Sequence, residues 1–163
     1  MQIEILDATP ADVPLLLGFI RKMAEFEKLN VSATEASLQD ALFGDAPAAR
    51  ALLVYADGKS AGYATYFFSF TSMMGRRALW LDDLFVDPEF RGKGIGKVLM
   101  AYIANIAVQH RCARFEWIVL DWNAPAIEFY HRLGAKILAD WRTCRLDEAQ
   151  MARVAGLLQS WDV

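Results

Sequence analysis

A chain of 163 residues, 55% of them apolar, is long enough for one hydrophobic core and short enough for a single domain over residues 1–163. Charged residues make up 23% of the chain and the net charge is −3, which argues against a nucleic-acid-binding protein. Two cysteines and two histidines form no disulfide framework or recognisable metal site, and no run is apolar enough to span a membrane, so we expect a cytoplasmic protein.

The first half of the chain predicts two helices and four strands. Apolar and polar residues alternate at residues 3–5 as in a short strand, and apolar residues at helical spacing predict a helix from Pro10 to about Glu27. Asp57-Gly58-Lys59 predicts a hairpin, because Asp-Gly suits a tight turn with positive φ. The remaining elements are a helix at 33–43 and three sequential antiparallel strands at 51–56, 62–70 and 78–86.

The second half alternates helices and strands. A helix begins at Ile95, and another ends at Gly134, a residue typical of helix C-termini. The predicted order is β-α-α-β-β-β-α-β-α-β, followed by a last helix, which is an α+β pattern. The individual predictions are a helix from 95, a strand at 114–120, a helix at 124–133, a strand near 137–145 and an amphipathic helix at 147–161.

A glycine-rich turn follows the strand at 78–86 and precedes the helix at 95. Gly92, Gly94 and Gly96 allow positive φ and a close approach of the backbone to a ligand, and the N-terminus of the next helix attracts phosphate. A dinucleotide fingerprint would need glycine at position 97, and a Walker A loop would need glycine at 91 and Ser or Thr at 98. The sequence therefore predicts an anion-binding turn of another kind.

The pattern Arg91-x-x-Gly94-x-Gly96 resembles the pyrophosphate loop of the GNAT superfamily of acyl-CoA-dependent N-acetyltransferases. Residues 81–86 and 121–135 are similar to the family's acetyl-CoA strand and its acid-bearing helix, in the family's order. Within the family the chain is most similar to the diamine (spermidine/spermine) N-acetyltransferase group, through Asp82-Asp83, Trp122-Asn123-x-Pro125 and Asp140-Trp141-Arg142. The resemblance implies the GNAT fold, a mostly antiparallel mixed sheet flanked by helices with a splayed strand pair that holds acetyl-CoA, and a homodimer.

The resemblance also implies an acetyl-CoA site. Main-chain N–H groups after the acidic pair would bind the oxyanion, and the turn would bind the diphosphate, with positive charge from Arg91, Lys93 and Lys97. From the spacing alone, a surface turn with solvated lysines is the alternative. The implied cofactor-binding residues are Leu84, Phe85, Val86, Arg91, Gly92, Lys93, Gly94, Ile95, Gly96, Lys97, Asn123, Pro125, Ala126 and Tyr130.

An acceptor amine with an ordinary pKa of about 10.4 must lose a proton before it can attack a thioester. Asp82 and Asp83 are adjacent in an otherwise apolar strand, so both can reach one pocket only if the strand bulges there. The resemblance implies that Asp82 is the base; relatives typically have the longer Glu, so we expect Asp82 to act through water. The alternative is that the pair merely satisfies loop backbone or an arginine such as Arg76 or Arg77.

The leaving thiolate needs a proton donor, and the resemblance implies Tyr130, although helical spacing alone would make it a core aromatic. Acidic side chains would favour a small cationic acceptor, such as a polyamine, a diamine or a lysine-like amino acid, by direct attack in a ternary complex. Acetylation of a protein N-terminus or lysine, or acyl-CoA sensing without turnover, are the alternatives. The implied substrate-binding residues are Phe26, Glu27, Asp82, Asp83, Glu116, Trp117 and Asp140.

Overall fold

The fold is built on a five-stranded mixed sheet, and the computed structural model describes residues 1–160 of the chain. The strands lie side by side in chain order. The first four are antiparallel, and the fifth joins the fourth in parallel. They are β1 (Ile3–Asp7), β2 (Arg50–Ala56), β3 (Lys59–Thr71), β4 (Arg76–Val86) and β5 (Phe115–Glu116).

Five α-helices and four short 3-10 helices complete the described residues. The chain divides into two compact units, Met1–Ile118 with the whole sheet and a second unit that begins at Val119. The α-helices are α1 (Val13–Glu27), α2 (Glu35–Phe43), α3 (Ile95–Gln109), α4 (Ala124–Arg132) and α5 (Glu148–Ala155); the 3-10 helices are Pro10–Asp12, Ser72–Met74, Pro88–Phe90 and Gly156–Ser160. None of the described helices is long and apolar enough to cross a membrane.

Both faces of the sheet are buried in the first unit. On one face, Leu16 and Phe19 of α1 pack with Tyr63 of β3 and Phe85 of β4. Successive side chains of a strand point to opposite faces of the sheet, so Leu52 and Val54 of β2 point away from Leu53. Both are fully buried on the other face. The helix α3 lies against β4 and buries Ile95, Leu99 and Ile103.

Two irregularities of β4 shape the centre of the molecule. Thr65 of β3 lies opposite Asp83 and the next residue, Tyr66, lies opposite Leu81, so Asp82 is the extra residue of a β-bulge. The pairing of β4 with β5 is limited to Leu79↔Phe115 and Trp80↔Glu116. Beyond Trp80, β4 therefore continues to Val86 while its neighbour leaves the sheet, which opens the strand pair at the level of the two aspartates.

The α+β class, the antiparallel strands and the helices are confirmed, except that the helix predicted at 147–161 is α-helical only at Glu148–Ala155 and continues as a 3-10 helix to Ser160. Two strand predictions are not confirmed. The strand predicted at 114–120 is reduced to Phe115–Glu116, and the strand predicted near 137–145 is wrong, since these residues form no strand. Ile137, Leu138 and Trp141 are exposed, so their apolar pattern meets no packed surface, and the Trp141 N–H closes a turn on the Leu138 carbonyl. Trp161, in the last predicted helix, lies outside the described residues.

Candidate active site

A cluster of carboxylates surrounds the β4 bulge. Asp83 follows the bulge and points, like Phe85, to the face covered by α1, where the Tyr63 hydroxyl donates a hydrogen bond of 2.9 Å to its Oδ2. The same hydroxyl lies 3.6 Å from Met23 Sδ. Asp82, at the bulge itself, is exposed to solvent. Because of the bulge, the two adjacent carboxylates lie in different environments: Asp83 is half-buried and Asp82 is exposed to solvent.

Burial governs the protonation of this cluster. Withdrawal from water raises the pKa of Asp83 to about 6, the charges of Asp82 and Glu27 add to that rise, and the Tyr63 hydroxyl opposes it. Burial likewise raises the pKa of Glu27 and, far more strongly, the pKa of Tyr63. The buried Thr65 hydroxyl, opposite Asp83, is near enough to lower the pKa of that carboxyl but makes no hydrogen bond of normal geometry.

Among the described residues, no salt bridge reaches the carboxylates of Asp82, Asp83 or Glu27. The guanidinium of Arg76 donates to the Arg111 carbonyl, and Arg77 faces His110 at 3.4 Å, so neither arginine satisfies the acidic pair. A buried carboxylate without a counter-ion is costly, and a cationic ligand would remove that cost.

The glycine turn presents a row of unused backbone donors. Gly92 and Gly94 have φ of 73° and 82°, and Gly94 is the residue that precedes α3. Across residues 1–160, no acceptor takes a hydrogen bond from an N–H group between residues 92 and 97. The next donor, the Val98 N–H, is satisfied by the Gly94 carbonyl at 3.1 Å. Six consecutive free N–H groups at a helix N-terminus fit a diphosphate.

The charged residues of the turn differ in what they contact. Arg91 Nε donates to the Val86 carbonyl at 2.9 Å, and Lys93 Nζ donates to the Glu89 carbonyl at 3.1 Å. Lys97 is exposed on the first turn of α3. A cavity of about 310 Å³ lies beside the turn, lined by Lys22, Glu25, Phe26, Phe85, Asp87, Pro88 and Arg91.

Other predicted site residues have structural partners. Glu116 forms an ion pair of 2.7 Å with Arg114, and the ring of Trp117 lies 4.9 Å from that of Phe115. In the second unit, Asn123 caps α4 by accepting from the Ala126 N–H at 3.3 Å, and Pro125 occupies the first turn. Tyr130 is half-buried on α4, and Asp140 is exposed. The first unit thus brings together Glu27, Asp82 and Asp83, but it pairs Glu116 elsewhere.

Sequence reasoning missed Tyr63, Lys22 and Asp87. Tyr63 sits in an ordinary strand pattern, and no local signal connects it to Asp83, twenty residues later in the chain. Asp87 could have been found, because Asp followed by Pro is a common way to start a turn, and its carboxylate accepts from the Glu89 N–H at 3.3 Å. Its ion pair with Lys22 is a long-range contact that the sequence does not reveal.

Comparison with known proteins identifies the family. Residues 20–135 match the model of the acetyltransferase (GNAT) family, which covers more than half of the chain. The chain belongs to the GNAT acetyltransferase family. It is 34% identical to thialysine N-epsilon-acetyltransferase of Sus scrofa, over 93% of this chain and 96% of that protein. It is 30% identical to L-ornithine N5-acetyltransferase NATA1 of Arabidopsis thaliana, over 85% and 82% of the two chains.

The fold of this GNAT enzyme also matches a solved structure. An integron cassette protein from the mobile metagenome of V. cholerae superimposes with a TM-score of 0.79 at 28% identity, over 95% of this chain and 98% of that one. The resemblance to GNAT enzymes that the glycine turn and its flanks indicated is therefore confirmed. The protein is an acetyl-CoA-dependent N-acetyltransferase.

The residues present fit the cofactor of this family. Bound acetyl-CoA supplies the activated acetyl group as a thioester. The free N–H groups of residues 92–97 would hold its diphosphate. Within the described residues β4 has no ladder partner on its β5 side beyond Trp80, so main-chain groups of Leu84, Phe85 and Val86 that face that side would be available to the cofactor. Among residues 1–160 there is no group of His, Cys, Asp and Glu that could hold a metal ion.

Proposed function

We propose that the protein acetylates the terminal primary amine of a small cationic acceptor, which is a diamine, a polyamine or a lysine-like amino acid. The observation that carries this proposal is the carboxylate cluster of Glu27, Asp82 and Asp83, which lacks a counter-ion within the described residues. An ammonium group would supply the missing positive charge at the β4 bulge. The names of the two relatives, which specify thialysine and ornithine as acceptors, support the same class.

The two aspartates are proposed to divide the work. Asp83, with a pKa of about 6, is ionised at neutral pH and would hold the cationic acceptor together with Glu27 and the ring of Phe26. Asp82 is exposed at the bulge and would take the proton of the attacking nitrogen through a water molecule. The Asp82 side chain is short, which favours this relay over direct transfer.

Residues of the second unit are proposed to complete the reaction. Tyr130 would donate a proton to the departing thiolate, and the capped turn of Asn123, Pro125 and Ala126 would contact the cofactor arm. Resemblance to the diamine acetyltransferase group supports acceptor-binding roles for Glu116, Trp117 and Asp140. Attack would occur directly, with acceptor and acetyl-CoA bound together.

The decisive experiment is a panel of amines assayed for thiol release from acetyl-CoA. Lysine, ornithine, diamines, polyamines and a peptide with a free N-terminus would be compared. We expect Asp82→Asn and Tyr130→Phe each to lower kcat at least tenfold with the best small amine. Asp45→Asn and Tyr102→Phe, which alter exposed side chains outside the proposed site, serve as matched controls. A preference for the peptide, or a change of only a few-fold in both variants, would refute the proposal.

We also propose that residues 1–163 form one acetyltransferase domain in a cytoplasmic homodimer. The family match runs from residue 20 to residue 135 and so continues across the boundary between the two compact units. Resemblance to the diamine acetyltransferase group supports the dimer, and the unbridged Cys112 and Cys144 suit a reducing compartment. Sedimentation equilibrium of the full chain tests the dimer; a constant monomer mass at micromolar concentrations would refute it.

A further inference from the structure

Arg91 belongs to the glycine turn, but its side chain turns back towards α1. Its Nε donates to the main-chain carbonyl of Val86 at 2.9 Å. Its guanidinium carbon lies 5.0 Å from the centre of the Phe26 ring and 5.7 Å from that of Phe85. One side chain therefore joins the last residue of β4 to the last turn of α1.

A second tie joins the same two elements one turn earlier. Lys22 of α1 forms an ion pair with Asp87, which directly follows β4. Asp87 is only 6% exposed, and its own N–H donates to the Ala61 carbonyl at 2.9 Å. Lys22 and Phe26 are four residues apart and so lie on the same face of α1. The end of α1 is thus fixed to the β4–α3 connection at two successive turns.

The end of α1 is also where it meets the carboxylate cluster. Glu27 follows Phe26 directly, and the charge of Glu27 contributes to the raised pKa of Asp83. A movement of α1 by a fraction of a turn would change the distance between Glu27 and Asp83. The same movement would displace Phe26 from the wall of the cavity that it shares with Arg91 and Phe85.

We infer that Arg91 is a positioning residue rather than a ligand of the diphosphate. It sets the position of Phe26 and Glu27, which would bind the acceptor amine, relative to the last residues of β4. The inference rests on the function proposed above. The guanidinium is suited to this role because its plane can stack on an aromatic ring while its edge donates a directed hydrogen bond. A lysine at this position keeps the positive charge but has neither the plane nor the fixed fork.

This difference between Arg and Lys provides the test. For wild type, Arg91→Lys and Arg91→Gln, we would measure kcat, the KM of the best small amine and the calorimetric Kd of coenzyme A. We expect both variants to raise the amine KM at least fivefold and to change the Kd of coenzyme A less than twofold. Lys97→Gln, which removes a charge from the same turn, should instead raise the Kd of coenzyme A. Lys59→Gln, at the first residue of β3, controls for the loss of one exposed charge.

A double-mutant cycle tests the contact itself. If Arg91 acts through Phe26, then Arg91→Lys should add little to the amine KM of a Phe26→Leu variant, whereas independent effects would multiply.

An increase in the Kd of coenzyme A in Arg91→Gln but not in Arg91→Lys would identify a charge that binds the diphosphate and would overturn the inference. An unchanged amine KM in Arg91→Lys would also overturn it while leaving the proposed function intact. A wild-type enzyme that acetylates no small amine would instead refute the function, and the inference with it.

Discussion

At the scale of single residues, Asp83 is a carboxylate whose pKa burial raises from the ordinary value of 3.8 to about 6. Folding withdraws it from water, places Asp82 and Glu27 nearby, and gives it one hydrogen bond from Tyr63. An ionised carboxylate in such a place destabilises the folded chain. The same property makes Asp83 a strong partner for an ammonium group. Ionised Asp83 therefore lowers the stability of the folded chain while it favours binding of a cationic acceptor.

We expect Asp83→Asn to stabilise the protein at neutral pH. Since the pKa of Asp83 rises from an ordinary value of 3.8 to about 6 on folding, the folded state binds more protons than the unfolded state between these pH values. This carboxyl therefore makes the wild type lose stability as the pH rises from below 4 to above 6, by about 3 kcal/mol over the whole range, most of it between pH 4 and pH 6. The amide cannot titrate, and the variant should escape this loss. Urea unfolding of both proteins at pH 4, 5, 6 and 7.5 measures the difference.

Asp82→Asn is the matched control for this prediction. Asp82 is exposed, so its substitution should change the free energy of unfolding by no more than about 0.5 kcal/mol at any of these pH values. The interpretation of Asp83 would be wrong if the stability difference between wild type and Asp83→Asn did not grow from pH 4 to pH 6.

Asp83 should also shape the pH dependence of turnover. Below about pH 6 the carboxyl is protonated and no longer attracts a cationic acceptor, so kcat/KM for the amine should fall as the pH is lowered through this value. In Asp83→Asn the amine KM should be at least tenfold higher at pH 7.5, and the fall near pH 6 should disappear. Initial rates measured against pH at saturating acetyl-CoA would test both expectations. If kcat/KM for the amine still fell near pH 6 in Asp83→Asn, a group other than Asp83 would be responsible for the fall.

At the scale of elements, the β4–α3 connection depends on a backbone conformation that L side chains resist. We expect Gly94→Ala to cost about 1 kcal/mol of stability, because φ is 82° there, and also to weaken coenzyme A binding. Gly75, with φ of 58°, provides the control, since a Cβ at either glycine meets no atom within 4 Å. Gly75→Ala should therefore lose similar stability and keep its affinity for coenzyme A. Equal effects on affinity in both variants, measured by calorimetry, would show that the turn has no specific role.

Elements with local signals could be predicted from the sequence, and elements that depend on distant partners could not. The Asp57-Gly58 turn and the apolar stripe of α1 lie within a few residues, so their positions follow from the chain itself. The strand at 114–120 depends on β4 as a partner, and it ends after Glu116 because the bulge and splay leave no ladder beyond Trp80. The same applies to the site: the acidic pair is visible in the sequence, whereas the tie from Arg91 to Phe26 is not.

At the scale of the whole molecule, the net charge is small, but acidic groups and anion-binding groups are concentrated in different regions. The chain carries −3 overall, yet the carboxylates of Glu27, Asp82 and Asp83 gather at the β4 bulge, while free N–H groups and lysines line the glycine turn. Both regions are in the first unit, and along the chain they are separated only by residues 84–86 of β4 and by residues 87–91, which include the 3-10 helix Pro88–Phe90. The second half of β4 and the connection that follows it therefore carry a region that attracts a cation and, after it, a region that attracts an anionic cofactor.

The salt dependence of KM can test whether the amine binds at the carboxylate cluster and acetyl-CoA at the glycine turn. Salt shortens the range of charge interactions from about 30 Å at 0.01 M to about 10 Å at 0.1 M, so the KM of the amine and that of acetyl-CoA should both rise with added salt. Asp83→Asn should flatten the salt dependence of the amine KM alone, and Lys97→Gln that of acetyl-CoA alone. Glu4→Gln, on the opposite edge strand β1, removes the same charge as Asp83→Asn and should flatten neither. If Glu4→Gln flattened the amine dependence as much as Asp83→Asn does, net charge rather than the carboxylate cluster would govern acceptor binding.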